Sequence, residues 1–219
     1  STIWPPRPEN LRPENPQSEN KALTIYLPGV DERDPRFPPI DEALNDPDGL
    51  LAIGGRLNTL TLLRAYRLGI FPWFEEPQPI LWWSPSQRAV LTPGAEHLSR
   101  SMAKLIRQKK YRLTSNQCFA QVVAHCAAPR AKARGTWISP AMRSAYIDLH
   151  RQGHAHSVEC WRDDQLVGGL YCIQVGGVFC GESMFSLEDN TSKLAFIGLS
   201  RTLAAAGFRL IDCQLENPH

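Results

Sequence analysis

Two short runs of the sequence place a carboxylate where a strand is expected. One run, 179–186, contains Glu182, and the other, 210–214, contains Asp212 and Gln214. A lone negative charge among apolar strand residues is costly unless it is paired or its pKa shifts, so such carboxylates usually bind a cation or transfer a proton. Strand alternation predicts that Asp212 and Gln214 point to the same face. The second run therefore pairs a possible base with an amide.

An apolar stripe on a predicted helix could form a pocket close to the first run. Phe196, Leu199 and Leu203 recur at the spacing of one helix face. This face could line a pocket beside Phe179 and Met184, although a stripe of this kind more often belongs to the ordinary core.

A pocket that contains both the stripe and Glu182 needs an irregular strand. In strict alternation, Phe179 and Glu182 point to opposite sides of the strand. A twist or β-bulge near Gly181 would bring the two side chains together, so a shared pocket requires an irregularity there.

The charge is distributed unevenly along the chain. The formal net charge is only +2, yet no Asp or Glu occurs between Glu96 and Asp148. Ten basic residues lie in this basic interval, namely Arg100, Lys104, Arg107, Lys109, Lys110, Arg112, Arg130, Lys132, Arg134 and Arg143. The interval favours binding of a polyanion such as nucleic acid. A solvated helix face that is balanced by acids from elsewhere is the alternative.

Several tryptophans flank predicted turns, where an indole can be partly exposed. They are Trp73, Trp82, Trp83 and Trp137. An exposed indole offers a flat surface to a nucleobase, whereas most buried tryptophans are simply core. Together with the basic interval, the pattern indicates a base platform on at least one of them.

Composition and missing motifs exclude several function classes. The chain is 42% hydrophobic and 21% charged, and it contains no apolar run long enough to span a membrane or to form a signal peptide, which predicts a cytoplasmic protein. The six cysteines form no C-x-x-C pair and are expected to be reduced. His150, His154 and His156 lack a familiar zinc spacing, and no phosphate or dinucleotide loop occurs. We therefore expect no metal and no cofactor.

The periodicity predicts a mixed α/β or α+β protein with a mostly antiparallel sheet. Residues 1–20 resemble a flexible Pro-rich tail, 21–90 a small N-terminal domain, and 91–219 a larger domain. Helices are predicted at 59–68, 98–108, 116–127, 140–152 and 191–206. Strands are predicted at 111–114, 155–161, 165–175, after the turn at 176–177, and at 208–214.

Six strings, in the same order, match a known family: 49–55, 69–74, 81–85, 153–159, 179–186 and 210–214. On these strings the chain resembles the leucyl/phenylalanyl-tRNA–protein transferase family from about residue 37 to its end. The resemblance implies that leucine or phenylalanine moves from aminoacyl-tRNA to proteins that begin with Arg or Lys, which marks them for degradation. It also implies an acetyltransferase-like (GNAT) fold for the larger domain, a monomeric enzyme, and no cofactor.

The resemblance also implies roles for individual residues. Glu182 would receive the α-ammonium group of the donor amino acid, and Asp212 and Gln214 would activate the attacking amine, with the tRNA ribose hydroxyl as a rival. Trp73, together with Trp137, would hold the terminal adenosine. The donor side chain would lie in an apolar set formed by Leu170, Phe179, Met184, Leu199 and Leu203. The acceptor stem would bind to Arg100, Lys104, Arg107, Lys109, Lys110 and Arg112.

The sequence departs from the family pattern at a few places. Arg56 stands where an acid is usual, and leucines occupy positions 199 and 203, where aromatic residues can occur. The family pattern also continues beyond His219. Two alternatives remain open, namely a CoA-dependent N-acetyltransferase and a noncatalytic RNA-binding module. The first would need a pyrophosphate-binding loop that the sequence lacks, and the second would leave both carboxylates without a role.

Overall fold

The computed structural model describes residues 26–128 and 136–215. The predicted tail at 1–20 lies outside the described residues, as do three members of the basic interval, Arg130, Lys132 and Arg134.

The N-terminal part of the described chain forms a four-stranded sheet. Its strands are β1 (Gly29–Val30), β2 (Leu50–Gly54), β3 (Phe71–Pro72) and β4 (Leu81–Trp83), in the order β1-β2-β4-β3. A short 3-10 helix at Ile40–Glu42 and helix α1 (Thr59–Arg67) accompany them. The Asn58 side chain accepts a hydrogen bond from the Thr61 backbone N–H at 2.9 Å and so caps α1, which begins at Thr59 as predicted.

The C-terminal part forms a six-stranded sheet. Its strands are β5 (Val90–Leu91), β6 (Arg112–Ser115), β7 (Ala155–Arg162), β8 (Gln165–Val175), β9 (Val178–Ser186) and β10 (Leu210–Asp212), in the order β5-β10-β9-β8-β7-β6. All neighbours are antiparallel except β9 and β10, which are parallel. The helices are α2 (Arg100–Gln108), α3 (Phe119–Ala127), α4 (Pro140–Arg151) and α5 (Thr191–Ala205). The predicted α+β class and the mostly antiparallel sheet are confirmed.

Two apolar clusters cover opposite faces of the six-stranded sheet. The first core cluster joins the four-stranded sheet, α1, α3 and α4 to one face, and it includes Leu62, Trp82, Val122, Met142 and Tyr171. The second core cluster joins α2 and α5 to the other face, and it includes Met102, Leu170, Phe179, Leu199 and Leu203. Neighbouring residues of β8 alternate between the clusters, as a strand buried on both faces requires. The N-terminal sheet therefore shares its core with α3 and α4.

Some predicted element boundaries are wrong for identifiable reasons. Strand β10 ends at Asp212 and does not reach Gln214, whose φ is 62°. Helix α3 begins at Phe119 rather than at Asn116, because Asn116 has a left-handed φ of 59° and its side chain bonds to β7. A residue with left-handed backbone dihedrals interrupts a regular element. Polar residues such as Asn116 and Gln214 adopt this conformation where their side chains form stabilising hydrogen bonds.

We expect Gly168→Ala to destabilise the protein by about 1–3 kcal/mol, the usual cost of forcing extra atoms into a packed site. A Cβ atom on Gly168 would lie 2.4 Å from Thr191 Oγ1 and 2.9 Å from the Thr191 carbonyl carbon, where α5 begins. Urea denaturation measures the effect. Gly177→Ala is the matched control, because no heavy atom lies within 4 Å of its Cβ position. Equal stability of the two variants would contradict the prediction.

Candidate active site

A hydrogen-bonded network joins the two predicted acidic residues. The Gln214 side chain donates from Nε2 to Glu182 Oε1 at 2.9 Å, and the Gln214 backbone N–H donates to Asp212 Oδ1 at 2.8 Å. Glu182 is 1% exposed and Asp212 is 8% exposed. Gln214 thus lies between two buried carboxylates, so the structure brings the three residues of the two acidic runs into one site.

Glu182 projects from a β-bulge in β9. Tyr171 of β8 pairs with Ser183, and the next residue, Cys172, pairs with Gly181, so Glu182 is an extra residue between two ladder pairs. The irregularity that a shared pocket would require near Gly181 is therefore present. It does not have the expected result, because Glu182 is bonded to Tyr146 in the first core cluster, whereas Phe179 packs in the second.

The predicted apolar set comes together on the other face of the sheet. Leu170, Phe179, Leu199 and Leu203 are buried in the second core cluster, and Met184 packs against it. The Phe179 ring meets the Phe208 ring edge-on, with 4.9 Å between centroids. The set is packed as ordinary core in this structure, and the sheet separates it from Tyr146, which bonds to Glu182.

Two tyrosines that the sequence analysis missed complete the environment of Glu182. The Tyr146 hydroxyl of α4 donates to Glu182 Oε2 at 2.9 Å, and the Tyr66 hydroxyl of α1 lies 2.9 Å from the Tyr146 hydroxyl. Burial raises the pKa of both tyrosines well above 10, and the nearby Glu182 charge adds to the effect. The only sequence signal was a tyrosine on an apolar helix face, where a buried hydroxyl needs a partner.

Burial raises the pKa of Glu182 to about 8. The charge of Asp212 also raises it, whereas the tyrosine hydroxyls and the Arg88 charge lower it. A carboxyl with such a pKa exchanges its proton near neutral pH, which is the property of an effective general acid or base. Glu182 therefore has an unusual environment for a structural glutamate.

Arg88 holds Asp212 and was also missed in the sequence. Its Nε donates to Asp212 Oδ1 at 3.3 Å, its second terminal nitrogen donates to Oδ2, and its remaining terminal nitrogen donates to the Gly69 carbonyl at 2.9 Å. The guanidinium also lies 5.3 Å from the centroid of the Phe71 ring. No local pattern distinguishes this arginine, because its partner is 124 residues away.

The two tryptophans proposed as a base platform are both half-buried. The Trp73 ring lies 5.6 Å from the Trp83 ring, and the Trp83 indole N–H donates to the Trp73 carbonyl at 2.7 Å. Trp137 packs against the first core cluster. By contrast, Trp82 and Trp83 are buried core residues. The adenosine platform stays a prediction.

The basic residues around α2 are exposed to solvent. These are Arg100, Lys104, Arg107, Lys109, Lys110 and Arg112. Lys110 lies 3.6 Å from Glu188, and Arg112 stacks over the Trp161 ring at 5.4 Å. Within the described residues, the other four form no ion pair, so nearby acids do not balance most of this charge. The tRNA-binding role stays a prediction.

Two of the three histidines considered as metal ligands have structural partners. His150 bonds to the Ala155 carbonyl at 2.8 Å and stacks on Phe119, and His156 bonds to Asn116. In residues 26–128 and 136–215, no three His, Cys, Asp or Glu residues are grouped so that they could hold a metal ion. None of the helices described there is long and apolar enough to cross a membrane.

Comparison with known proteins gives the family. The model of the leucyl/phenylalanyl-tRNA protein transferase family matches residues 90–219, and the model of its N-terminal domain matches residues 55–86. The chain belongs to this family. A relative from Pseudomonas syringae pv. syringae (strain B728a), a leucyl/phenylalanyl-tRNA–protein transferase, is 56% identical over 183 residues, which is 84% of this chain and 80% of the relative. A leucyl/phenylalanyl-tRNA–protein transferase from Psychromonas ingrahamii is 52% identical over 197 residues, which is 90% of this chain and 83% of the relative.

Solved structures are more distant. The structure of L-PGS from Bacillus licheniformis aligns with a TM-score of 0.42 and 12% identity, covering 76% of this chain and 53% of that one. A similarity at this level carries no argument about the site. The family membership therefore rests on the sequence comparison alone.

Proposed function

We propose that this protein transfers leucine or phenylalanine from aminoacyl-tRNA to the α-amine of proteins that begin with Arg or Lys, which marks those proteins for degradation. The observation that carries the proposal is the Glu182–Gln214–Asp212 network in a chain of this transferase family. An amide held between two buried carboxylates suits the alignment of an amine and the movement of one proton.

The reaction needs little chemical help from the protein. The acceptor amine attacks the ester carbonyl of the aminoacyl-tRNA, a C–N bond forms, and the C–O bond to the ribose breaks. The amine loses one proton and the ribose oxygen gains one. Because the ester is already activated, the protein must align the reactants, stabilise the developing charge and manage that proton. The tRNA ribose hydroxyl remains a rival for the proton transfer.

Asp212 serves best as an electrostatic anchor. Its Oδ1 accepts bonds from Gln214 and Arg88, and its Oδ2 accepts a bond from Arg88. Since Gln214 donates from Nε2 to Glu182, its carbonyl oxygen remains to orient the N–H of the attacking amine and its second N–H remains for the oxyanion. Asp212 fixes the backbone that carries this amide.

Glu182 is proposed to receive the α-ammonium group of the donor. The positive charge of the donor would lower the raised pKa of Glu182 and favour its carboxylate form. Each of its oxygens accepts one hydrogen bond, from Tyr146 and from Gln214, and a carboxylate oxygen can accept a second. The parallel pairing of β9 with β10 ends at Cys180 and Asp212, whereas β9 continues through the bulge. We propose that the donor enters where these strands separate.

The predicted apolar set is proposed to select the donor side chain. Because the set is packed in the second core cluster, that cluster would have to open to admit leucine or phenylalanine. It would open beside the bulge of β9, which Phe179 and Met184 flank. Trp73, with Trp137, is proposed to hold the terminal adenosine, and the exposed basic residues of α2 are proposed to bind acceptor-stem phosphates.

We further propose that residues 21–90 and 91–219 are two domains and that the larger has a GNAT topology. Its mostly antiparallel sheet with one parallel pair supports this. We propose a cytoplasmic monomer, in keeping with the six free cysteines.

A transfer assay tests the proposal. The protein is incubated with radiolabelled leucyl-tRNA and a peptide that begins with Arg, beside the same peptide with an acetylated N-terminus. We expect label only in the free-amine peptide. Binding of tRNA without any transfer would instead indicate a noncatalytic RNA-binding module, and transfer from acetyl-CoA would indicate an acetyltransferase.

A further inference from the structure

We propose that Arg88 is a positioning residue, which holds Asp212 and the backbone of Gln214 in the geometry required for transfer. This inference rests on the proposed function, because that function gives Asp212 and Gln214 their roles. Arg88 lies in the loop between β4 and β5, outside both acidic runs.

The first support is the geometry of the guanidinium. Two of its nitrogens donate to the two oxygens of Asp212, and the third donates to the Gly69 carbonyl at 2.9 Å. A planar guanidinium that grips a carboxylate with two parallel bonds fixes its orientation as well as its position. Arg88 therefore ties the end of β10 to the turn that follows α1.

The second support is the backbone beside Arg88. The Ala89 N–H donates to the Gln214 carbonyl at 3.2 Å, and the Cys213 N–H donates to the Ala89 carbonyl at 2.8 Å. These bonds extend the pairing of β5 with β10 past the end of both strands. The segment 88–89 thus holds both the side chain of Asp212 and the backbone on which Gln214 turns into its left-handed conformation.

The third support is burial. The Arg88 side chain is 21% exposed and that of Asp212 is 11% exposed, whereas every other ion pair in the described residues leaves its basic side chain at least 39% exposed. A pair shielded from solvent is screened less by salt and holds its geometry better than a surface pair. Three of the five N–H groups of Arg88 donate to protein acceptors, two of them to Asp212, so Arg88 acts mainly through Asp212.

The test compares transfer kinetics of Arg88→Gln and Arg88→Lys with the unmodified protein. We expect Arg88→Gln to lower kcat ~10- to 100-fold while the KM values for tRNA and peptide change less than ~3-fold, because misplaced groups slow the reaction without removing binding contacts. Arg88→Lys keeps the positive charge but cannot donate the two parallel hydrogen bonds to Asp212, so its kcat should lie between those of Arg88→Gln and the unmodified protein. Thermal unfolding confirms that each variant is folded at the assay temperature.

Arg64→Gln is the matched control. Arg64 also joins an aspartate to a backbone carbonyl, with bonds of 2.7 Å to Asp34 and 3.0 Å to the Pro35 carbonyl, but it has no contact with Asp212. We expect kcat of this variant to equal that of the unmodified protein. An equal fall in both arginine variants would overturn the positioning role, because it would report a general loss of structure.

A double-mutant cycle with Asp212→Asn separates positioning from other effects. If Arg88 acts through Asp212, the double variant should be no slower than Asp212→Asn alone. Multiplying losses, or full activity of Arg88→Gln, would overturn the inference while leaving the proposed function intact. An unmodified protein that transfers no label would instead refute the proposed function, and the role of Arg88 with it.

Discussion

Replacement of Asp212 by asparagine is expected to lower kcat for leucyl transfer ~100-fold or more, the usual cost of losing a preorganised electrostatic group. The amide keeps the size of the side chain and an oxygen for the Gln214 N–H, but it loses the charge that Arg88 grips at both oxygens. Arg88 would then no longer hold the side chain that accepts the Gln214 N–H in one orientation, so Gln214 would be positioned less precisely. The transfer assay under saturating tRNA and peptide measures the effect.

Binding of tRNA should remain nearly unchanged in the same variant, as measured by filter binding at a fixed salt concentration. Asp212 is 8% exposed and bonded internally, so it is not expected to contact phosphates. Asp34→Asn is the matched control, because Asp34 also pairs with an arginine, at 2.7 Å from Arg64 Nη1, and should leave transfer intact. Parallel loss of binding and transfer in Asp212→Asn would refute a catalytic role.

Glu182→Gln is expected to change how stability depends on pH. The pKa of Glu182 is raised from 4.5 to about 8 by burial, so the folded state binds the proton more tightly than the unfolded chain. The stability that this tighter proton binding gives to the folded state is fully present below pH 4.5 and is lost as the pH rises through about 8. Between pH 5 and pH 9, the free energy of unfolding of the unmodified protein should therefore fall by on the order of 4 kcal/mol relative to that of the glutamine variant.

Urea denaturation of both proteins at pH 5, 7 and 9 measures this difference. Glu188→Gln is a suitable control, because the Tyr111 hydroxyl and nearby cations lower the pKa of Glu188, and it stays ionised over the whole range. Its free-energy difference from the unmodified protein should be constant. A constant difference for Glu182→Gln as well would show that Glu182 is ionised throughout and would remove it as a proton-exchanging group.

The sequence predicted five of the six strands of the larger sheet, all except β5 (Val90–Leu91), and the positions of its two acidic runs. Strand β8 was predicted at 165–175 and is observed there, because period-2 alternation and flanking turns are local properties. The family could be assigned from the sequence as well, since its strings are contiguous.

Only the tertiary structure decided which side chains surround the acids. Arg88 meets Asp212 across 124 residues, Tyr66 meets Tyr146 across 80, and Tyr146 meets Glu182 across 36. These contacts depend on how the N-terminal sheet and α1 share the first core cluster with α4. No periodic pattern encodes that packing, because it arises from the shapes of two assembled surfaces rather than from the spacing of residues along either one.

The direction of Glu182 and the conformation of Gln214 were decided in the same way. Alternation predicted Gln214 on the strand with Asp212, yet the strand ends and Gln214 turns left-handed with a φ of 62°. Its side-chain bond to Glu182 and its backbone bond to Ala89 are tertiary contacts. Together with the local bond from its N–H to Asp212, they outweigh the small local cost of that conformation. The sequence thus predicted the three residues of the Glu182–Gln214–Asp212 network, whereas the packing of the two sheets decided how those residues face one another.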